Sequence, residues 1–201
     1  MSGEGDNPAR WSGNLAQIFE KQSKISNTQH RPTLPVEMLP DFFNRLQQEK
    51  GISNIALSMI ILTASRLKEI TDARWSEYDP DSAVLTIPAE RTKTGKQHRI
   101  PLPAPAVALI EQMRAWFPPD TQDAYIFSAS GKPLSDVAIA KVRNKLHPGI
   151  TTHGFRSTFK DWCRIHAPEF NDEVSELALS HVSSDATRAA YARDELLEQR
   201  R

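Results

Sequence analysis

The segment ALSMIILTA, residues 56–64, is the feature that most constrains the fold of this chain, because it is apolar on nearly every face. A helix at a protein surface keeps one polar side, whereas a helix that is apolar all round must be covered by other elements. Gly51 ends the helical pattern that precedes this segment, and Ser53 is placed to cap it. The sequence therefore predicts a buried central helix.

The flanking patterns predict further helices and one small sheet. Apolar residues at three- and four-residue spacing indicate a helix between Pro35 and Gly51. Three β-like runs follow, around residues 75–78, over AVLTIP and over HRIPLP, with turn formers between them. Later helices are predicted over PAVALIEQMRAW, SDVAIAKVRNKL, HGFRSTFKDWCRI, residues 171–179 and the residues beyond 184, with a short YIF strand after the first of these. The predicted fold class is mainly α with a small three-stranded antiparallel sheet.

Side chains that cap helices support these assignments. Ser135, the first residue of SDVAIAKVRNKL, is the predicted N-cap of that helix. Thr151 or Thr152 is predicted to cap the next helix, and Asn171 or Asp172 the helix after it. Residues 1–34 are polar, with scattered Gly, Ser and Pro, and are predicted to be a linker or arm. Residues 35–201 are predicted to form one domain, since a chain of 201 residues with 39% hydrophobic residues can bury one substantial core.

The net charge is zero, from 25 basic and 25 acidic residues, which argues against indiscriminate binding to nucleic acid or anionic membrane. The charge is nevertheless uneven along the chain. Basic residues predominate in two stretches, which are the predicted contacts to a DNA backbone: Lys96, Arg99, Lys141, Arg143, Lys145 and Lys160. Charge alone supports equally well two solvated faces without a partner.

Several classes of protein are disfavoured. The single cysteine, Cys163, allows no intrachain disulfide. No apolar run reaches the ~20 residues of a membrane span, so we expect a soluble, cytoplasmic protein with no membrane partner. No phosphate-binding loop, dinucleotide fingerprint, HExxH or paired Cys-x-x-Cys motif occurs, so we expect neither an ATP-driven nor a metal-dependent enzyme, and no cofactor.

His153 and Arg156 begin a predicted helix and lie one turn apart on the same face. The amide groups and the dipole of a helix N-terminus favour an anion, so this pair suits a phosphate oxygen. Taken alone, an H-x-x-R pair is more often an ordinary solvated or capping pair.

Four motifs together point to a family. TASRLKEI, RTKTGKQHRIPL, HGFR and LALSHVSSDATRAAY occur in the order and approximate spacing of the tyrosine recombinases. The chain most closely resembles the integrases of prophages and genomic islands, and the resemblance runs from about Pro35 to the C-terminus.

The resemblance implies a role for each matching residue. Arg66 and Arg156 correspond to the two phosphate-clamping arginines, and Glu69 to a structural support beside the first. Lys93 corresponds to the mobile lysine that acts as general acid, and Lys96 is the substitute if the hairpin register differs. The remaining roles are a candidate base, a hydrogen-bond donor to phosphate and the nucleophile, assigned to His153, His181 and Tyr191 respectively.

The implied reaction is cleavage and rejoining of DNA through a 3′-phosphotyrosyl intermediate, without metal or ATP. The implied partners are double-stranded attachment sites, with a homotetramer on DNA, a monomeric isolated domain and a nucleoid location in a bacterial cytoplasm. The resemblance also implies a core-binding domain that does not fit within residues 1–34, so these residues are expected to be the linker or arm that leads from it. Two alternatives stay open: a type IB topoisomerase-like strand transferase, and a non-catalytic DNA-binding remnant of an integrase. Each residue also has an ordinary structural explanation when it is taken alone.

Two positions depart from the family pattern. Many members have Gly where this chain has Ala64, before the first arginine, and where it has Ser180, before the second histidine. Both replacements are small, but they leave the backbone path at these points open.

Overall fold

A computed structural model of the chain describes residues 32–181 and 195–201. The α-helices in these residues are α1 (Leu39–Gln48), α2 (Ile52–Thr63), α3 (Leu67–Thr71), α4 (Ala104–Trp116), α5 (Asp136–Leu146), α6 (Gly154–His166), α7 (Asp172–Ala178) and α8 (Leu197–Arg200). The strands are β1 (Tyr78–Asp79), β2 (Val84–Ile87) and β3 (His98–Pro101). Short 3-10 helices cover Val36–Met38, Trp75–Glu77 and Ala89–Arg91. The predicted class, mainly α with one small sheet, is confirmed.

Helix α2 is the centre of the core, as its composition predicts. Leu57 and Met59 are fully buried, and Ile60 is 1% exposed. The helix packs against α1, α4, α5 and α6, so that most of its circumference is covered, and only residues near its two ends, such as Ile61 and Leu62, are half-buried. Removing a side chain such as Leu57 by substitution with alanine costs about 2–5 kcal/mol in comparable cores.

The three strands form an antiparallel sheet in the order β1-β2-β3. Leu85 faces Ile100 and Ile87 faces His98 across the β2–β3 pair. The apolar members of these pairs lie in the same core as α2. The sheet therefore places His98 at a buried position directly opposite an isoleucine.

The chain enters the domain alongside the start of α6. The carbonyl oxygen of Pro32 accepts a hydrogen bond from the Thr151 amide (3.1 Å), and Leu34, the last residue of the predicted arm, is 1% exposed. A Cβ atom added to Gly154 would lie 2.5 Å from the Pro32 oxygen. Only glycine fits at the first residue of α6 while this segment lies against it.

Four local predictions were wrong. His153, not Thr151 or Thr152, occupies the N-cap of α6, although Thr151 Oγ1 accepts a hydrogen bond from the Gly154 amide (2.9 Å). Gly51, not Ser53, occupies the N-cap of α2. The run at 75–78 is a 3-10 helix followed by a two-residue strand, because Glu77 accepts a hydrogen bond from the Arg74 amide and closes a turn there. The YIF segment forms one isolated bridge, between Tyr125 and Arg74, and no strand. None of the described helices is long and apolar enough to cross a membrane.

Candidate active site

Arg66 lies in the short connection between α2 and α3, at the N-cap of α3. Its backbone N–H donates to Oε2 of Glu69 (2.8 Å) and its Nη1 donates to Oε1 of the same carboxylate (2.9 Å). A glutamate in the first turn of a helix commonly reaches back to the N-cap in this way. Here the same carboxylate also holds the guanidinium, so the helix cap and the orientation of Arg66 depend on one side chain.

Glu69 is buried, with 1% of its surface exposed. Burial on its own would raise the pKa of this carboxyl, but the neighbouring imidazole of His98 and the hydrogen bonds from Arg66 lower the pKa to about 2. A buried carboxylate that stays ionised must be compensated by such donors. Glu69 therefore makes the contacts with Arg66 that a structural support would make, and that role stays a prediction.

Arg156 is the third residue of α6 and is 4% exposed. Its Nη1 donates to the carbonyl oxygen of Ala64 (2.5 Å), its Nη2 donates to that of Leu179, and its Nε has no hydrogen-bond partner. Burial and the nearby Arg66 lower the pKa of Arg156 to about 10, so it remains a cation at neutral pH. No carboxylate in the described part of the chain forms a salt bridge with it, which leaves a buried positive charge for an anion.

Residues 179–181, just after α7, bring the two arginines and one histidine together. Nη2 of Arg66 donates to the carbonyl oxygen of Ser180 (3.1 Å). Nη2 of Arg156 lies 3.4 Å from Nε2 of His181, in addition to its bond with Leu179. Three residues that are far apart in the sequence thus meet at one short segment.

The two positions that depart from the family pattern both have left-handed backbone conformations. Ala64 has φ 50° and Ser180 has φ 49°. Glycine is the usual occupant of this region, because a Cβ atom is strained there. The chain therefore keeps the required backbone path with Ala and Ser, at a cost of about 1 kcal/mol at each position.

Glu176 is a site residue that the sequence analysis did not assign. Its Oε2 lies 2.8 Å from Nδ1 of His181, and its Oε1 pairs with the Lys160 ammonium. Burial alone would raise the pKa of this carboxyl, but the hydrogen bonds from Lys160 and His181 lower it overall. The only signal in the sequence is an acid five residues before the histidine, near the end of α7.

A carboxylate facing Nδ1 favours the tautomer of His181 that has its proton on that nitrogen, in which Nε2 can accept from Arg156. A proton gained at Nε2 would convert the same ring into a donor toward a phosphate oxygen. Nearly half of the side chain, 46%, is exposed, so a ligand can reach it.

His153 occupies the N-cap of α6, one turn before Arg156, and is exposed. Lys93 and Lys96 are exposed in the turn between β2 and β3, which Thr92 organises by donating to the carbonyl oxygen of Lys96 (2.8 Å). No contact in the described residues joins Lys93 to the arginines. The structure places it in the predicted hairpin turn without bringing it to the cluster.

The predicted DNA contacts differ in their availability. Lys141 is exposed, and Arg143 donates to Thr152 (3.0 Å). Arg99 pairs with Glu195 (2.8 Å) and Lys145 with Glu49 (2.7 Å). Lys160 pairs with Asp172 (2.7 Å) as well as Glu176. Tyr191, the predicted nucleophile, lies outside the described residues.

Comparisons with known proteins identify the family of this chain. The model of the phage integrase family matches residues 34–196. The prophage integrase IntA of Escherichia coli strain K12 is 32% identical over 197 residues, which cover 94% of this chain and 46% of IntA. The chain spans about half the length of the curated relatives it matches.

Two solved structures share the fold. The λ integrase catalytic core matches with a TM-score of 0.53 at 17% identity, over 78% of this chain and 95% of that one. The XerA recombinase matches with a TM-score of 0.61 at 15% identity, over 85% of this chain and 64% of that one. The chain belongs to the phage integrase family, and its described residues have the fold of a tyrosine recombinase catalytic domain.

Proposed function

We propose that this chain is the catalytic domain of a site-specific DNA recombinase, which cuts and rejoins strands through a covalent bond between Tyr191 and a DNA phosphate. The observation that carries the proposal is the convergence of Arg66, Arg156 and His181 on residues 179–181. Two cations and an imidazole at one segment can stabilise the negative charge that develops on a phosphate in the transition state of strand cleavage.

The arginines would neutralise the phosphate. In the transition state the non-bridging oxygens carry extra negative charge, and planar guanidinium forks match that geometry without a metal. Both forks are held in advance, Arg66 by Glu69 and Arg156 by carbonyl oxygens. Such preorganised donors contribute most to electrostatic stabilisation of a transition state.

The assignment of the nucleophile is supported by the other two tyrosines. Tyr78 is buried in the core, and burial raises the pKa of its phenol. The Tyr125 hydroxyl accepts a hydrogen bond from Arg74 (3.1 Å), whose guanidinium also stacks on the ring at 4.5 Å. The chain has three tyrosines, and Tyr191 is the one that the family pattern assigns as the nucleophile.

The reaction would be two transesterifications. The Tyr191 oxygen attacks phosphorus, His153 takes its proton, and the 5′ oxygen leaves with a proton from Lys93. A 5′-hydroxyl of the partner duplex then attacks the phosphotyrosyl bond and releases the tyrosine. The phosphodiester energy is kept in the covalent intermediate, so neither ATP nor a metal is required.

We further propose that recombination takes place in a homotetramer on double-stranded attachment sites, with the isolated domain a monomer near the bacterial nucleoid. A λ integrase structure, which shares the fold, is a tetramer bound to a Holliday junction. Lys96, Arg99, Lys141, Arg143, Lys145 and Lys160 are the proposed backbone contacts. Residues 1–34 would connect this domain to a preceding core-binding domain.

The direct test is a nicked suicide duplex made from the junction sequence of the element that encodes the chain. We expect a protein–DNA adduct on a denaturing gel, no adduct with Tyr191→Phe, and an undiminished adduct with Tyr125→Phe as the matched control. An adduct that persists in Tyr191→Phe would reassign the nucleophile. Relaxation of a supercoiled plasmid without strand exchange would identify a topoisomerase instead.

A further inference from the structure

His98 is a buried imidazole that the proposed reaction does not use. It begins β3 and is 5% exposed. Its two ring nitrogens face two charged groups on different elements, Glu69 on α3 and Arg200 on α8. Histidine at such a position needs a physical explanation, since burying a polar ring costs free energy unless its nitrogens are satisfied.

Arg200 determines which nitrogen of His98 carries the proton. Its Nη2 lies 3.3 Å from His98 Nε2 and donates to the carbonyl oxygen of Arg99 (2.7 Å), while its Nη1 donates to that of Glu195 (3.0 Å). Burial lowers the pKa of Arg200, which nevertheless stays a cation at neutral pH. A guanidinium can only donate, so this contact favours the tautomer in which Nε2 of His98 accepts and Nδ1 carries the proton.

The protonated nitrogen then faces Glu69. Nδ1 of His98 is 3.7 Å from Oε2 of Glu69, beyond hydrogen-bond distance, and it has no other partner. The same Oε2 accepts the backbone N–H of Arg66, and the other carboxylate oxygen accepts its Nη1. The order of contacts is therefore Arg200, His98, Glu69, Arg66.

We propose that His98 is a positioning residue for Arg66, kept in its Nδ1–H tautomer by Arg200 of the C-terminal helix. In that tautomer a partial positive charge faces the Glu69 carboxylate and favours the position in which it holds Arg66. In the other tautomer a nitrogen lone pair would face the same carboxylate and repel it. The placement of α8 is thereby linked to the orientation of a guanidinium in the candidate active site.

The first test needs no DNA and does not depend on the proposed function. Long-range ¹H–¹⁵N spectra of the ¹⁵N-labelled 201-residue chain distinguish the two tautomers of each histidine. We expect His98 to be protonated at Nδ1, and Arg200→Met to shift it toward the Nε2–H tautomer and to move the Nε–H signal of Arg66. Arg201→Met is the matched control, because Arg201 donates to the carbonyl oxygen of Ser82 (2.8 Å) and should leave both signals in place. A His98 protonated at Nε2 in the unmodified chain would overturn the proposal.

The second test rests on the proposed function and uses the suicide duplex. Asparagine places an amide N–H near the position of Nδ1, whereas glutamine places its amide near Nε2. We expect His98→Asn to keep the rate constant of adduct formation within about threefold and His98→Gln to lower it about tenfold, with unchanged affinity for the duplex, because only a misplaced Arg66 is at issue.

Equal rates for the Asn and Gln variants would overturn the proposal, as would a loss of DNA affinity that accounts for the whole effect. If the unmodified chain forms no adduct, the proposed function fails and the spectra still decide the tautomer and its coupling to Arg66. The two failures are therefore distinguishable.

Discussion

The part of the chain that the structure describes contains the same arrangement of guanidinium, imidazole and carboxylate twice, once around an exposed histidine and once around a buried one. In both, an arginine Nη2 faces histidine Nε2 and a glutamate oxygen faces Nδ1. The surface triad is Arg156, His181 and Glu176, and the core triad is Arg200, His98 and Glu69.

The two triads differ in exposure and in closeness. The His181 side chain is 46% exposed and lies 2.8 Å from its carboxylate, whereas that of His98 is 5% exposed and lies 3.7 Å from its own. An exposed ring can exchange its arginine partner for a phosphate, while a buried ring can only hold other groups in place. On the two proposals made above, the same three kinds of side chain would bind phosphate in one place and position Arg66 in the other.

Arg66 connects the triads. It is held by Glu69 of the core triad and donates to the carbonyl oxygen of Ser180, the residue before His181 of the surface triad. Substitutions in the surface triad should therefore reduce the reaction, and substitutions in the core triad should reduce stability as well.

The largest effect is expected from Arg156→Lys in the surface triad. The planar guanidinium donates to the carbonyl oxygens of Ala64 and Leu179 and has further N–H groups for a phosphate. A lysine ammonium cannot make all of these bonds from one position. We expect the rate constant of adduct formation to fall about 10²–10³-fold in single-turnover reactions on the suicide duplex. Arg114→Lys is the control. The Arg114 guanidinium stacks on the ring of Trp75 at 4.7 Å, so it is also an arginine in contact with other groups of the domain, but it is not part of the candidate active site. A loss of less than tenfold in Arg156→Lys would contradict the role of a phosphate clamp.

In the core triad, Glu69→Gln should lower the free energy of unfolding at pH 7 by about 3 kcal/mol. The folded pKa of about 2 lies below the ordinary value of 4.5, so the carboxylate stabilises the fold above pH 4.5 and loses this contribution as the pH falls toward 2. Urea unfolding should show that the free energies of unfolding of the unmodified chain and of Glu69→Gln differ less at pH 3 than at pH 7.

Glu77→Gln is the matched control for that experiment. Glu77 also pairs with an arginine, Arg91, but burial outweighs the pair and raises its pKa. A carboxyl whose pKa is raised in the folded state destabilises the fold as it ionises with rising pH. The change with pH in the free energy of unfolding that Glu77→Gln removes should therefore have the opposite sign to the change that Glu69→Gln removes. The same pH trend in both variants would contradict the assigned compensation of Glu69.

A smaller effect is expected from Glu176→Gln. The amide removes the carboxylate that lies 2.8 Å from Nδ1 of His181 and orients the ring, and we expect the rate constant of adduct formation to fall about tenfold. Stability should change by less than about 1 kcal/mol, since the Glu176 side chain is 39% exposed and its pairs are screened by water. Glu173→Gln, on the same helix, should leave the rate unchanged. Equal rates for both variants would remove Glu176 from the site.

The smallest effect concerns the left-handed residues that anchor the arginines. Ala64→Gly and Ser180→Gly should each raise the free energy of unfolding by up to about 1 kcal/mol, because glycine relieves the strain of positive φ. Ala83→Gly is the control outside the site, with φ 50° as well. Urea unfolding that shows a gain at residue 83 and a loss at residue 64 would mean that the Ala64 side chain has a role of its own.

Local patterns predicted most of the helices, because the spacing of apolar residues reports directly on a buried face. Ser135 caps α5 and Asn171 caps α7 as expected. The failures lie where few residues decide the conformation: the turn closed by Glu77 and the single bridge at Tyr125. Such short segments have no periodicity from which to predict them.

The site was predictable only as a set of motifs. The family pattern indicated Arg66, Arg156 and His181, which the structure brings together. It did not indicate the contact between Arg200 and His98, which are 102 residues apart in the sequence. A pair of this kind depends on how β3 and α8 pack in three dimensions, and no local spacing encodes that.

Arg156, proposed as one phosphate clamp, donates to the main-chain oxygens of Ala64 and Leu179, and Arg66, proposed as the other, donates to that of Ser180 as well as to the Glu69 carboxylate. Point mutation exchanges a side chain but cannot delete a carbonyl group. Substitutions at these three positions can therefore alter the stability of the domain. The carbonyl oxygens that accept from the two arginines remain as long as the backbone keeps its path.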